Sequence, residues 1–297
     1  MRRSNGEKIF QVFNILLLFL LCVIMLYPYL NQVAISLNEG LDAMRGGITI
    51  FPRKFTWVNY STILQSQRII NGAVISVSRT IIGTVLALAV LFCAAFAITR
   101  QGLPYKRGIT LYLMIPAYIG AGTIPTYILF RTLGLINNFW VYILPGLFSF
   151  YNMVILRSFL QELPPSLDES AKLDGANDIQ IMWHISIPLS KPVLATLALW
   201  QAVAHWNCYS DALLYVTDRD LYPLTYIMMQ LIKESSVAQQ MASETASSSV
   251  ASEAAAKPTS ETIKAATLVV TTIPIIMIYP FLQRYFIKGV TLGAVKG

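Results

Sequence analysis

Residues 71–98 read NGAVISVSRTIIGTVLALAVLFCAAFAI, and this stretch decides the fold class. It exceeds the ~20 apolar residues that a helix needs to cross a ~30 Å hydrocarbon core. Arg79, near its first third, is its single charge. A helix that is apolar on every side suits lipid rather than a water-facing surface. Moving outward along the chain, stretches of the same character occur at 12–34, 109–130, 139–159, 192–215 and 264–287. Pro116, Pro125 and Pro145 interrupt two of them, which a membrane helix tolerates where neighbours satisfy the freed carbonyls. The expected fold is all-α: a polytopic membrane protein with six transmembrane helices, forming one domain over residues 1–297.

Composition agrees. Only 12% of the residues are charged and 55% are hydrophobic, against about 25% charged in soluble domains. The net charge of +7 is spread in small groups between apolar stretches, not in a run. That pattern suits topology signals rather than a phosphate-binding face, so nucleic acid is not an expected partner and membrane lipid is. Cys22, Cys93 and Cys208 lie in apolar segments without metal-ligand spacing, and read as small packing residues. No metal site and no catalytic residue is expected.

Arg2, Arg3 and Lys8 precede the first apolar run, but no small-x-small cleavage site follows, so a retained first helix is expected. The connections after the second and fourth spans and the carboxyl terminus carry Arg100, Lys106 and Arg107; Arg157, Lys172 and Lys191; and Arg284, Lys288 and Lys296. In a six-span chain all four groups fall on one side, which the positive-inside rule makes the cytoplasm. Both termini are then cytoplasmic. On the other side, residues 37–68 contain Gly46-Gly47, Pro52 and four aromatics, a candidate fold over the outer mouth. Residues 234–262, ESSVAQQMASETASSSVASEAAAKPTSET, are small and polar, and a flexible outer loop is expected there.

The cytoplasmic loop 159–191 carries the densest signals, in ELPPSLDESAKLDGANDIQIMWHISIPLSKP from Glu162 to Pro192. Pro164 and Pro165 stop the preceding helix. Ser166 with Glu169 three residues on reads as a capping box opening a short helix. Gly175 can adopt positive φ and end it. Asn177 is the candidate cap of a second helix, with Ile179, Met182 and Trp183 on an apolar edge and Pro188 closing it. An ordinary interfacial hairpin would share these features.

The complete spacing is more specific. Glu169-Ser170-Ala171, three residues, Gly175, nine residues and Ile185-Ser186-Ile187-Pro188 resembles the EAA motif of binding-protein-dependent importer permeases. Ser170 stands for alanine and Ile187 for leucine. The flanks, and the closing stretch from Tyr279 to Gly297, look like the oligosaccharide branch, with importers of alginate or pectin fragments the nearest sub-branch. The resemblance implies a type I ABC importer-like fold and a transmembrane permease subunit that translocates oligosaccharide. It implies a second permease subunit, two ATPase subunits that bind ATP and Mg, and an extracytoplasmic sugar-binding protein. The loop would be a coupling helix seated in an ATPase groove. Glu169 would make a charged or capping contact, Ala171 beside Ser170 would permit close approach, Gly175 would turn, and Ile179, Met182 and Ile185 would fill the groove ahead of Pro188.

Polar groups within spans are costly and tend to be paired or functional. Trp200, Ala204 and Asn207 share one helical face of the fifth span, and Gln201, His205 and Cys208 the adjacent one. Aromatics beside amides suit sugars, whose apolar faces stack while their hydroxyls need partners. Tyr151 and Asn152 on the fourth span are candidates for the same cavity. Interhelical hydrogen bonding accounts for each of these residues equally well. Arg79 has two roles open to it: binding an acidic sugar, or pairing with Asp211 or a carbonyl of the partner subunit. Two rival functions are a secondary transporter, which often shows two related halves, and a membrane-embedded glycan-processing enzyme, which needs clustered acid or histidine groups. Neither signature is present, and no Walker A pattern occurs, so ATP use would come from a partner.

Overall fold

The computed structural model describes residues 5–100, 102–244 and 258–293, with side chains placed except at Asn5, 235–244, Tyr279 and 281–293. In order the helices are α1 (Asn5–Ser36), α2 (Gly40–Met44), α3 (Val58–Gln65), α4 (Gln67–Thr99), α5 (Lys106–Tyr118), α6 (Thr123–Thr132), α7 (Phe150–Gln161), α8 (Pro165–Leu173), α9 (Asp178–Ile181), α10 (Ile187–Leu189), α11 (Lys191–Asn207), α12 (Ser210–Tyr215), α13 (Leu224–Glu244) and α14 (Ser260–Gly293). Among the described residues no strand forms; the one isolated bridge joins Asn38 and Phe55. The chain divides into two compact units, Met1–Ile70 with Met228–Ile273, and Asn71–Ile227 with Pro274–Gly297.

In the first unit, α1 leaves its apolar side chains exposed from Ile9 to Leu26, the pattern of a helix whose solvent is hydrocarbon. Tyr29 Oη lies 3.1 Å from Thr272 Oγ1 of α14. The 37–66 segment is ordered by buried polar groups. Asn59 Nδ2 donates to the carbonyls of Ser36 and Asn38, each at 2.9 Å. Asp42 Oδ2 accepts from Asn38 Nδ2 at 2.9 Å and from Arg53 Nε at 3.0 Å. These bonds discharge the backbone groups that an irregular segment cannot leave bare.

The second unit is organised on α4. Its buried stripe, Ser76, Arg79, Thr80, Gly83, Ala87, Leu91 and Ala95, recurs at spacings of three and four, while Val74, Ile81, Val85 and Val90 point outward. Leu91, Phe92, Ala95, Phe96 and Ile98 form one core with Met153, Leu156 and Leu160 of α7, Ala171 of α8, Ile181 of α9, and Val193 and Leu197 of α11. Gly83 lets α11 approach: a Cβ there would stand 2.5 Å from His205 Nε2.

Among the described residues three helices, Gly6–Ser36, Gln67–Thr99 and Ser260–Ile278, are long and apolar enough to cross a membrane, and up to six spans result if each of three bent pairs counts as one. The spans expected at 109–130, 139–159 and 192–215 are each broken. The first is α5 and α6, bent by 115°. Pro116 removes a ladder bond near its break, and Gly122 at φ +82° opens the second helix. The second begins as 3₁₀ turns at Phe139–Tyr142 and Leu144–Gly146 before α7, bent by 49°. The third ends at Asn207 and resumes at Ser210. A break within a span frees carbonyls, and that of Cys208 is taken by Arg79 Nη1 at 2.8 Å.

Three further expectations change. The 234–262 stretch opens as helix, since α13 runs to Glu244; its middle, 245–257, and the terminal residues 294–297 lie outside the described residues. Alanine and glutamine between the serines sustain the helix there. Cys22 and Cys93 are exposed rather than packed, because they sit on the outward faces of their helices. Pro188 does not close a helix, for the reason given below.

Candidate functional site

The 162–192 loop folds as two short helices on the α4 core. Pro165, not Ser166, sets the start of α8: it occupies the first helical position, where its fixed φ is pre-organised and its missing N–H costs nothing. The Ser166 side chain makes no cap, which corrects the expected capping box. At the other end Gly175 adopts φ +83°. Its N–H donates to Lys172 O at 3.1 Å and that of Ala176 to Ala171 O at 2.9 Å, the double bond of a Schellman stop.

Asn177 then caps α9. Its Oδ1 accepts from Gln180 N and its N–H donates to Gln180 Oε1, both at 2.9 Å, a complete capping box. Beyond Ile181 the helix widens into a π turn over Met182–Ser186 and re-forms as α10. Pro188 would otherwise collide with the carbonyl four residues back, and the wide turn removes that clash. The chain then turns by 79° into α11.

Arg100, just past α4, holds both helices. Its Nη1 bonds Asp168 Oδ2 in the first turn of α8 and lies 3.9 Å from Asp178 Oδ1 in the first turn of α9. Its guanidinium stacks 3.9 Å over the Phe96 ring. Asp168 and Asp178 also favour the positive ends of their own helices.

The sequence-chosen loop residues divide by exposure. Ala171 is buried in the chain's own core, and Met182 and Ile185 are half-buried against it. Glu169, Ser170, Gly175, Ile179 and Pro188 face outward. Leu173, Ile179 and Trp183 are 89%, 66% and 61% exposed, three large apolar side chains outside the loop's packed face.

The span residues divide likewise. Arg79 is 1% exposed, pairs with Asp211 through Nη2 and Oδ2 at 2.8 Å, and lies 4.5 Å over the Tyr142 ring. His205 is buried against Gly83 and Gly146, and Gln201 Nε2 donates to Gly146 O at 3.3 Å. Asn152 is buried at the start of α7, whereas Tyr151 beside it is 68% exposed. Trp200, Ala204 and Asn207 remain together on an exposed face of α11. Trp200 and Ala204 also border an apolar cavity of about 460 Å³ with Thr80, Trp206, Pro274 and Ile278.

Sequence reasoning missed Arg100 as more than a topology charge, and missed Leu173. The signal for Arg100 was two aspartates, each in a first helical turn, although Lys172 stands one turn on from Asp168. Asn137 was missed as well: its backbone is left-handed at φ +56°, and its Oδ1 accepts from Thr217 N at 2.6 Å, tying the turn after α6 to the loop after α12.

Residues 100–292 match the family described as binding-protein-dependent transport system inner membrane component. The polygalacturonan/rhamnogalacturonan transport system permease protein YtcP of Bacillus subtilis (strain 168) is 34% identical over 96% of this chain and 97% of its own. The protein LplC of the same strain is 33% identical over 100% and 98%. A crystal structure of a bacterial ABC transporter involved in the import of the acidic polysaccharide alginate contains a chain that matches with a TM-score of 0.83 and 25% identity, over 96% of this chain and 99% of that one. With the motif, the fold and full-length relatives in agreement, this chain belongs to the binding-protein-dependent transport system inner membrane components.

Proposed function

We propose that this chain is the permease subunit of an ATP-driven importer for oligosaccharides released from acidic polysaccharides. The observation that carries the coupling half of the reading is the exposed trio Leu173, Ile179 and Trp183 on a loop otherwise locked to the α4 core. Exposed large apolar side chains mark contacts with protein or with a membrane surface, and the coupling motif around these three favours protein. The occupant is an ATPase subunit, which supplies ATP and Mg²⁺, while this chain does no chemistry. The loop and both termini then lie in the cytoplasm, in keeping with the basic residues on that side. One chain is half of a pathway, completed by a second permease subunit, a second ATPase and an outer sugar-binding protein.

The substrate class rests on the relatives, whose names give polygalacturonan, rhamnogalacturonan and alginate. Within the chain, Trp200, Ala204 and Asn207 form the open face of α11 and are the residues of choice for sugar contact. Arg79 is not, because Asp211 already neutralises it. The test is reconstitution of the chain with its partner subunits and binding protein in liposomes. ATP-dependent uptake of oligogalacturonate, above that of a neutral maltodextrin, is expected. Uptake of the neutral sugar alone would overturn the acidic class, and uptake without ATP would overturn the coupling reading.

A further inference from the structure

We infer that α4 is a rigid strut that carries the movement of the 162–192 loop across the bilayer to the break between α11 and α12, with Arg100 and Arg79 as its two pins. The inference rests on the reading of that loop as an ATPase seat. At one end, Arg100 joins α4 to the first turn of α8 through Asp168, with Asp178 of α9 lying 3.9 Å away. At the other, Arg79 joins α4 to the α11–α12 break twice, through the freed carbonyl of Cys208 and the carboxylate of Asp211. The pins stand 21 positions apart along the chain, which at 1.5 Å per residue is about 31 Å, the thickness of the hydrocarbon core.

The rod between them is suited to the task. α4 runs unbroken from Gln67 to Thr99 without proline, whereas α5/α6 and α11/α12 are both interrupted. Below Arg79 its buried face is packed continuously, from Ala87 through Leu91 and Ala95 to Ile98. A close-packed helix transmits displacement instead of absorbing it. Both pins are also stacked on rings, Arg79 on Tyr142 and Arg100 on Phe96, which limits how far either can swing without moving its helix. Arg100 and Arg79 are in this sense positioning residues; neither needs to touch sugar or nucleotide.

The test is hydrogen exchange on the assembled transporter in nanodiscs, with and without a non-hydrolysable ATP analogue and Mg²⁺, at equal ATPase occupancy. In the parent, the nucleotide is expected to change exchange at 165–185 and at 208–213. In Arg79→Gln the change at 165–185 persists and that at 208–213 is lost, an asymmetry that general destabilisation does not produce. In Arg100→Gln the change at 208–213 is lost, and Arg100→Lys restores part of it. Asp168→Asn, on a carboxylate that is 39% exposed and so tolerant of change, weakens it and serves if Arg100→Gln fails to fold. A full nucleotide-dependent change at 208–213 in Arg79→Gln, or in both Arg100→Gln and Asp168→Asn, overturns the strut. Failure of the parent to bind any ATPase removes the loop reading itself and the strut with it.

Discussion

Arg79 and Asp211 meet at 2.8 Å within the apolar body of the second unit, where Arg79 is 1% and Asp211 30% exposed at the side chain. A guanidinium so placed has no water to fall back on. Breaking a buried pair from one side costs about 3–5 kcal/mol because the surviving charge stays buried. Asp211→Asn is therefore expected to cost about 3 kcal/mol, the low end, given its partial exposure. Arg79→Gln combined with Asp211→Asn, which removes both charges and keeps a donor for the Cys208 carbonyl, is expected to lie closer to the parent. Thermal unfolding in detergent separates the two; a double variant less stable than Asp211→Asn would contradict the account of the pair as mutual neutralisation.

Gly83 is where the His205 ring of α11 meets α4. Alanine there puts a Cβ 2.5 Å from His205 Nε2 and 2.7 Å from its Cε1, and overpacking of this kind costs about 1–3 kcal/mol. The loss is expected to shrink when His205→Ala is added, because the two changes share one contact. Strictly additive effects in the same unfolding assay would mean that the ring is not what Gly83 accommodates.

Gly175 separates backbone strain from partner contact. Its φ of +83° makes alanine unfavourable by about 1–2 kcal/mol, yet nothing within the chain lies within 4 Å of an added Cβ. Gly175→Ala is expected to leave the isolated chain folded, less stable by that amount alone. A large fall in substrate-stimulated ATP hydrolysis in the same variant locates the added methyl against an ATPase, and an unchanged rate argues against close contact at this turn.

Asp42 gives the 37–66 segment a pH dependence. The hydrogen bond from Asn38 and then the Arg53 guanidinium outweigh desolvation and hold its carboxyl below the usual carboxylate range. A depressed folded value means stabilisation that is full above the ordinary aspartate pKa of about 3.9 and is lost as pH falls through the lower folded value. Proteolytic protection of residues 37–66 is expected to be flat at neutral pH and to fall only in acid below pH ~4. In Asp42→Asn the protection is lower throughout and no longer acid-dependent. An equal acid loss in the variant would assign the effect elsewhere.

Much of this was legible in the sequence, for identifiable reasons. α1, α4 and α14 were readable because nothing interrupts their apolar runs except prolines that their surroundings accept. The α8 stop was readable because glycine takes the left-handed turn at 175 without a Cβ penalty, and the α9 start because Asn177 is a favoured capping residue. The bends were not. Whether Pro116 or Cys208 breaks a span depends on what satisfies the freed carbonyl, and for Cys208 that is Arg79, 129 positions away. The start of α8 was misplaced for a local reason: Ser166 and Glu169 have the spacing of a cap, but Pro165 already occupies the first turn. Ala171 was singled out for its motif position, and it proves to lie in the chain's own core, which amino-acid type alone could not distinguish from a partner-facing alanine.

The central claim is that Leu173, Ile179 and Trp183 form the seat of an ATPase. The most direct measurement is co-purification of the ATPase subunit with the parent and with Leu173→Glu/Ile179→Glu from co-expressing membranes. Both residues are outward-facing, so the double variant is expected to insert and to retain the parent's thermal stability while losing the ATPase. Retention of the ATPase at the parent's stoichiometry would contradict the account.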